Sequence, residues 1–179
     1  MIITHKKNTA NPNTYRVYSA QMKFSEQCMK SCERIMDVYY SKVQKEDGII
    51  EMQLGTDIDI HEGVDALAYC IYSGKEDRWQ IRNRTDIRYA DEIAIKMRKL
   101  NDEPDEIYYT TATHYLTAFW NGNTLYSFTI VDMQALRQHV LANDTYYNKR
   151  CIKYNSHFYP MPQSEWDQFK ILQLKRKGK

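Results

Sequence analysis

Three polar residues beside a predicted β-hairpin have the types and the spacing that phosphodiester chemistry requires. Asp65 comes directly before an apolar run, and Gln80 and Arg82 lie in the run that follows the next turn. Because the side chains of a strand alternate between two faces, we predict that Gln80, Arg82 and Arg84 share one face of the hairpin. Such a polar row needs partners or a function, since an unpaired buried charge is costly. The opposite face is predicted to carry Trp79, Ile81 and Asn83.

Hydrolysis of a phosphodiester needs an activated water and a cation that stabilises the charge developing on the phosphate. Asp65 at a strand end can hold Mg²⁺ or Mn²⁺, and Gln80 can add its amide oxygen as a weaker second ligand. Arg82 stays protonated and cannot act as a general base, but its guanidinium can hold a phosphate through two hydrogen bonds. The structural alternative is that Asp65 caps a strand or forms an ion pair with Arg82.

These residues give the chain a resemblance to the PD-(D/E)XK nuclease superfamily, which includes restriction endonucleases and archaeal Holliday-junction resolvases. The resemblance covers about residues 25–131, and its motifs are Gly63-Val64-Asp65, Gln80-Ile81-Arg82 and a predicted first helix with a glutamate. It implies a restriction-endonuclease-like fold and a Mg²⁺- or Mn²⁺-dependent nuclease that acts on DNA. By position, it assigns catalytic roles to Asp65, Gln80, Arg82 and Glu33, with Asp65 and Gln80 as metal ligands.

Two departures from the family pattern lead to alternative functions. Gln80 stands where the family has an acid, and Arg82 stands where it has a lysine. Both changes favour a nuclease-like fold that binds nucleic acid without cutting it. A third hypothesis is a protein-interaction module, such as an inhibitor or accessory factor, because the chain is nearly neutral and rich in tyrosine.

Basic residues near the motif extend the predicted contact with nucleic acid. The net charge of +2 provides no global attraction, so binding must rely on local clusters of charge. DNA is the predicted partner and RNA the alternative, and the resemblance permits a homodimer because related enzymes pair to cut two strands. The predicted nucleic-acid-binding residues are Arg84, Arg88, Lys96 and Arg98.

Composition and length predict one domain over residues 1–179, with a loose segment 1–15 and a basic tail 175–179. The four cysteines lack CxxC spacing, which favours reduced, buried thiols over a disulfide scaffold or a zinc site. No apolar run approaches the roughly 20 residues of a membrane span. We therefore predict a cytoplasmic protein without a membrane partner, and its size fits a phage or mobile-element origin.

The order of the predicted helices and strands that position these residues indicates an α+β fold. This fold is a sandwich with a central mixed β-sheet flanked by helices. Apolar periodicity predicts the long first helix, and Asn121-Gly122-Asn123 is the strongest hairpin signal. Segment 91–99 fits either a helix or a strand, and we favour the strand. The first predicted element is a helix that begins at Ser25 and ends before Gly48. Predicted strands follow at 49–54, 66–72, 78–84, 106–120 and 124–131. After them come a helix capped by Asp132, short strands within 146–159 that end at Pro160 and Pro162, and a last helix from Ser164 that presents Trp166, Phe169 and Leu172.

An acidic segment lies between the first strand and the hairpin. Asp57, Asp59, His61 and Glu62 follow one another there at short spacing. Acidic side chains two residues apart would share a strand face and could bind a divalent cation. A polar loop or edge strand is the favoured prediction for this segment, because it has no EF-hand pattern.

Overall fold

The computed structural model describes residues 1–5, 19–53, 57–99, 101–153 and 157–175, and within this part nine strands form a seven-stranded mixed sheet and a separate two-stranded ribbon. The strands are β1 (Ile2–His5), β2 (Gly48–Met52), β3 (Ala66–Cys70), β4 (Glu76–Arg84), β5 (Glu92–Lys96), β6 (His114–Asn121), β7 (Thr124–Asp132), β8 (Phe158–Pro162) and β9 (Lys170–Lys175). The sheet order is β1-β2-β3-β4-β6-β7-β9, and β5 pairs with β8. Strands β1 and β2 are parallel, as are β4 and β6, and the other neighbours are antiparallel.

Helices lie on both faces of the sheet. The first face packs against α1 (Ser19–Val38), which continues as a π-helix over Tyr39–Gln44. The second face packs against the β5–β8 ribbon and the later helices. The fold is therefore α+β with a central mixed sheet flanked by helices, as predicted. The remaining helices are α2 (Asp57–Glu62), α3 (Met133–Ala142), α4 (Asp144–Lys153) and α5 (Gln163–Trp166).

The predicted apolar stripe of α1 forms the core on the first face. Each large apolar side chain buried there contributes roughly 1.5–3 kcal/mol. Tyr39 and Tyr40 are buried four residues after Ile35 and Met36, as helical spacing predicts. The same spacing predicts that Val43 is buried, but it lies within the π-helix and is 43% exposed. The buried residues of this stripe are Cys28, Met29, Cys32, Ile35, Met36, Tyr39 and Tyr40.

The ends of the first helix differ from the prediction. It begins at Ser19, six residues before the expected N-cap Ser25, and its π-helical part ends at Gln44. Lys45 then adopts a left-handed conformation with φ of 55°, which turns the chain towards the sheet. Gly48 is not the stop signal but the first residue of β2. A Cβ at Gly48 would lie 1.9 Å from the Tyr69 carbonyl oxygen, so glycine serves close strand pairing here.

Several other elements agree with the sequence. The hairpin of β3 and β4, the strand β5 and the pairing of β6 with β7 all form as predicted. Asp132 caps α3 by accepting a hydrogen bond from the Ala135 amide at 2.9 Å. Residues 2–5 form the edge strand β1, within a segment predicted to be loose except that residues 2 and 3 could add an edge strand, and all four cysteines are buried and free.

Four predicted elements are wrong. Segment 106–120 is a strand only from His114, because Glu106–Tyr108 forms a 3₁₀ turn. Segment 146–159 is mostly the helix α4, and the two prolines lie inside β8, whose sole pairing among the described strands is with β5. The last helix has four residues, a 3₁₀ turn follows it, and Leu172 lies in β9. The acidic segment is the helix α2, not a loop or an edge strand.

Four predicted segments fall partly outside the described residues. The parts outside are residues 6–15 of the N-terminal segment, residue 54 of the strand 49–54, residues 154–156 of the segment 146–159 and residues 176–179 of the basic tail. Lys175, the first residue of the predicted tail, ends β9 instead. No helix in the described part of the chain is both long and apolar enough to cross a membrane.

A buried hydrogen-bond network ties the π-helix to the sheet. The Tyr39 hydroxyl lies 2.9 Å from His114 Nε2, and the ring of Trp79 stacks on His114 with centroids 4.5 Å apart. Trp79 donates its indole N–H to the Tyr40 hydroxyl at 2.8 Å, and Tyr40 donates to Asp77 at 2.9 Å. Burial lowers the pKa of His114 to about 4, partly opposed by Asp77.

We predict that His114 makes the protein less stable in mild acid. Its pKa is about 4 when folded and about 6.5 when unfolded, so the unfolded state binds more protons between these values. The stabilisation is complete above about pH 6.5 and is lost as the pH falls towards 4, by about 2–3 kcal/mol. Between pH 7 and 4.5, the free energy of unfolding measured with urea should change less with pH in His114→Gln than in wild type. An equal pH dependence in wild type and His114→Gln, with the exposed His61→Gln as control, would contradict this.

Candidate active site

Asp65 lies at the point where β3 begins and supports the neighbouring strand. Its backbone N–H donates to the Trp79 carbonyl at 2.7 Å, and its carbonyl accepts from the Gln53 amide at 2.8 Å. Its carboxylate accepts a hydrogen bond from the Ile81 backbone N–H at 2.5 Å. The Asp65 side chain thus extends the hydrogen-bond ladder of β4 past the end of its backbone pairing with β3. This is the strand-capping role that the sequence left open.

Gln80 and Arg82 face away from α1, as the alternation along β4 predicts. Trp79 and Ile81 belong to the apolar cluster beneath α1, whereas Gln80 and Arg82 lie beside the second cluster. Gln80 is 3% exposed, and the Arg82 side chain keeps 34% of its surface exposed. In the register of β4 and β6, Gln80 is paired with Tyr115. The two motif residues therefore share one face of the sheet, one buried and one reaching solvent.

Glu106 is a site residue that the sequence analysis missed. It forms an ion pair with Arg82, and its carboxylate is almost fully buried. It also packs against the segment that leads to Asp65, because a Cβ on Gly63 would lie 3.1 Å from Glu106 Cγ. Gly63 has a φ of +60°, a conformation that favours glycine. The acidic pair Asp105-Glu106 directly after Pro104 was the signal that could have identified Glu106. The sequence instead predicts that Glu106 begins the strand 106–120.

The loop that carries Glu106 is held by side chains on both sides. Asp105 accepts a hydrogen bond from the Glu106 amide at 2.8 Å and forms an ion pair with Lys96 at 3.0 Å. Arg137 on α3 donates to the carbonyls of Ile107 at 3.0 Å and Tyr108 at 2.7 Å. These contacts fix the 3₁₀ turn, and with it the position of the Glu106 carboxylate.

The charges of the site act on one another. Burial is the main cause that raises the pKa of Asp65 to about 7; Asp59 and Glu106 contribute to this shift, and Arg82 and the Ile81 amide oppose it. Burial acts against the charge of Arg82, but Glu106, Tyr115 and Asp65 together raise its pKa above the ordinary value. Asp65 is therefore a carboxyl that gains and loses a proton near neutral pH, beside a guanidinium that remains charged.

A small cavity adjoins the motif. Its volume is about 10 Å³, which is about the space that one water molecule needs, and Gln80, Lys96, Glu106 and Tyr115 are among its lining residues. The buried Oε1 atom of Gln80 has no hydrogen-bond partner among the described residues. A buried amide oxygen without a partner is unusual, so this atom is suited to accept a ligand or a water.

The oxygen ligands suit a weakly held magnesium-type ion. No group of three His, Cys, Asp or Glu side chains that could hold a metal occurs within the described ranges. The site offers the carboxylates of Asp65 and Glu106 and the amide oxygen of Gln80. Mg²⁺ is commonly bound through one or two carboxylates while it keeps several waters and contacts substrate phosphates. The residues therefore fit Mg²⁺ or Mn²⁺ better than zinc, which prefers nitrogen and sulfur ligands.

Glu33 lies in α1 and is 7% exposed. Burial raises the pKa of the neighbouring Cys32 thiol to about 12, and both Asp65 and Glu33 contribute to this shift. The charge of Asp65, at the start of β3, thus affects Cys32 on the α1 side of the sheet as well as Arg82 on the other side. The catalytic role predicted for Glu33 stays a prediction.

The four predicted nucleic-acid contacts have partners inside the protein. Arg84 lies over the ring of Phe119 at 5.5 Å, and Arg88 is exposed and pairs with Asp86 at 2.7 Å. Lys96 pairs with Asp105 and lines the cavity beside Gln80, and Arg98 pairs with Asp102. Lys96 is thus the member of this set that the structure brings to the motif.

The acidic helix α2 contributes to the site through one residue. Asp59 raises the pKa of Asp65, so the two carboxyl groups lie close together. Glu62 instead forms an ion pair with Arg78 and accepts a hydrogen bond from Thr111 at 2.8 Å. His61 is exposed. The alternative prediction was a cation site within this segment. Among the described residues, no group of three His, Cys, Asp or Glu side chains could hold such an ion.

No family model matches the chain, and no curated protein sequence matches it. The function proposed for this chain therefore rests on the geometry of the site.

We predict that the Asp65 carboxyl titrates near pH 7 in the free protein. Glu106→Gln should lower this pKa, because the negative charge of Glu106 contributes to raising it, and Arg82→Gln should raise it further. Carboxyl ¹³C shifts of labelled aspartate, followed from pH 4 to 9, measure this directly. Asp102→Asn, which removes an exposed acid at a left-handed position that Asn tolerates, is the control. An Asp65 pKa near 4 in wild type would contradict the prediction.

Proposed function

We propose that this protein is a metal-dependent nuclease that hydrolyses phosphodiester bonds in DNA. The observation that supports the proposal is that Arg82 of β4 is paired with Glu106 and partly exposed, close enough to Asp65 for both charges to act on its carboxyl. Glu106 supplies the second carboxylate that the sequence motif lacks at Gln80. The site then has two acids, an amide oxygen and a fixed guanidinium, which is a suitable set for phosphoryl chemistry.

Asp65, Glu106 and Gln80 would hold the Mg²⁺ or Mn²⁺ ion. When bound, such an ion polarises the phosphate and makes water a better nucleophile. Asp65 reaches its ligand-binding form by losing a proton near neutral pH. Glu106 is fixed by the 3₁₀ turn, and the unpartnered oxygen of Gln80 faces the same cavity.

Arg82 would bind the phosphate group of the substrate. Its exposed part can donate to phosphate oxygens while its contact with Glu106 keeps the guanidinium in place. Because the guanidinium does not lose its proton, Arg82 stabilises charge and orients the phosphate, and it does not act as a base. Lys96, at the cavity and 3.0 Å from Asp105, adds a second positive charge beside the substrate.

The second candidate function is binding of nucleic acid without hydrolysis. It is favoured by the ion pair between Arg82 and Glu106, because a carboxylate already neutralised by a guanidinium is a poorer metal ligand. Under this alternative, oligonucleotides bind equally well in EDTA and in Mg²⁺, and binding weakens steeply with salt. No cleavage in any divalent ion, together with such binding, would favour this function over the nuclease.

We predict that cleavage of DNA requires both carboxylates. Asp65→Asn and Glu106→Gln should each lower the rate of Mg²⁺- or Mn²⁺-dependent cleavage at least about 100-fold, since each removes a ligand of the ion. Gel assays on single-stranded, duplex and branched DNA measure the rate. Asp102→Asn, which removes an exposed acid elsewhere, should cleave like wild type. Full activity in both site variants would refute the assignment.

We predict that Mn²⁺ binding depends on pH through Asp65. A carboxyl must lose its proton before it binds a metal, so affinity should rise about tenfold per pH unit from pH 5.5 to 7 and then level off. Calorimetry with Mn²⁺ alone measures the affinity without relying on catalysis. Asp65→Asn should bind Mn²⁺ weakly, and its affinity should lack the rise between pH 5.5 and 7. An affinity in wild type that does not change with pH would count against Asp65 as a ligand.

A further inference from the structure

A second row of polar side chains lies on the same sheet face as the motif. In the strand register, Arg84 is paired with Phe119, and Phe119 is paired with Ser127 on β7. Gln173 on β9 is paired with Thr129, which places it diagonally next to Ser127. Arg84, Ser127 and Gln173 are called the outer row here. The proposed metal site uses none of the three.

Arg84 lies against two aromatic rings. Its guanidinium carbon lies 5.5 Å from the centre of the Phe119 ring and 6.0 Å from that of Tyr89. Phe119 lies between Arg84 and Ser127 in the strand register, so the three side chains share one face of the sheet. Two aromatic rings hold the cation in place without using its hydrogen-bond donors.

The outer row has polar atoms without partners. Nη1 of Arg84, Oγ of Ser127 and Nε2 of Gln173 are all buried, and none has a hydrogen-bond partner among the described residues. Ser127 as a residue is 2% exposed. Lys175, which is paired with Ser127, is already engaged by Asp91 and by Gln163 at 2.9 Å. Buried polar atoms normally have partners, so these three atoms call for a ligand.

The chemistry of the three groups selects an anion. A guanidinium and an amide NH₂ are donors only at these nitrogens, and a serine hydroxyl can donate as well. Three donors with one positive charge suit the oxygens of a phosphate group. Arg84 and Gln173 are both partly exposed as residues, so the row lies near the surface although its three donor atoms are buried.

We propose that the outer row binds a second phosphate of a nucleic-acid strand, next to the phosphate held by Arg82; this rests on the proposed function. Arg82 and Arg84 are two residues apart on one strand face, which separates them by about 7 Å. A substrate with two consecutive phosphates can therefore contact both arginines, whereas a substrate with one phosphate cannot. The outer row selects a polymer strand over a mononucleotide or a simple phosphodiester.

Glu92 opposes this subsite and provides a matched variant. Burial raises the pKa of Glu92, and Arg84 partly lowers it, so the carboxyl lies near the guanidinium. No ion pair within 4.0 Å joins Glu92 to Arg84 among the described contacts. A negative charge there repels a phosphate, and its removal should strengthen binding at the outer row.

The test compares thymidine di- and trinucleotides, which carry one and two phosphodiesters, in EDTA so that cleavage plays no part. Calorimetry should show that wild type binds the trinucleotide about tenfold more tightly than the dinucleotide. Arg84→Gln, and separately the isosteric Gln173→Leu, should remove this gain and leave dinucleotide binding unchanged. Glu92→Gln should increase the gain. Thermal unfolding of each variant verifies that it is folded.

Equal binding of the two oligonucleotides by wild type would overturn the subsite. So would a gain that persists in both Arg84→Gln and Gln173→Leu. A gain that depends on these residues, in a protein that cleaves no DNA in Mg²⁺ or Mn²⁺, would support the subsite and refute only the nuclease. The two proposals can therefore fail separately.

Discussion

The ion pair between Arg82 and Glu106 is the contact on which the rest of the site depends. A guanidinium on the central strand β4, beside an apolar cluster, requires a partner because an unpaired charge there would be costly. Glu106 provides it, and both charges of the pair act on Asp65. Burial is the main cause that raises the pKa of Asp65; Glu106 adds to this shift and Arg82 opposes it.

Glu106 depends on a loop whose fixed points come from distant parts of the chain. Arg137 of α3 binds two carbonyls of the turn, and the Thr111 amide donates to the Glu62 carbonyl at 3.1 Å. Gly63, two residues before Asp65, has no side chain and therefore leaves room for the side chain of Glu106. The loop thereby connects α3, the end of α2 and the start of β3. A change in any of these would move the second carboxylate relative to the first.

Local patterns were sufficient to predict much of the fold. Alternation along β4 gave the correct faces for Gln80, Arg82 and Arg84, and periodicity identified the buried stripe of the first helix. Patterns failed where tertiary contacts override propensity. Segment 146–159 is rich in tyrosine, a strand-favouring residue, yet forms mostly the helix α4 because Tyr147 and Cys151 pack into the second cluster. Val43 continues the same spacing in the sequence but is exposed, because the helix becomes π-helical from Tyr39 and no sequence period indicates this change.

Most of the candidate site could be found from the sequence. Asp65, Gln80 and Arg82 lie on neighbouring strands joined by a short turn, so their proximity follows from the hairpin. Glu106 comes 24 residues after Arg82, and its contact depends on how a non-repetitive loop folds back. The outer row unites β4, β7 and β9, and its existence depends on a strand order that the sequence does not specify.

The most direct test of the central claim is anomalous diffraction from crystals soaked in Mn²⁺ at pH 8, where Asp65 is ionised. The proposal predicts one strong peak in contact with the carboxylates of Asp65 and Glu106, with the Gln80 oxygen nearby and Arg82 still held by Glu106, its exposed part facing solvent. The absence of manganese between Asp65 and Glu106 would contradict it.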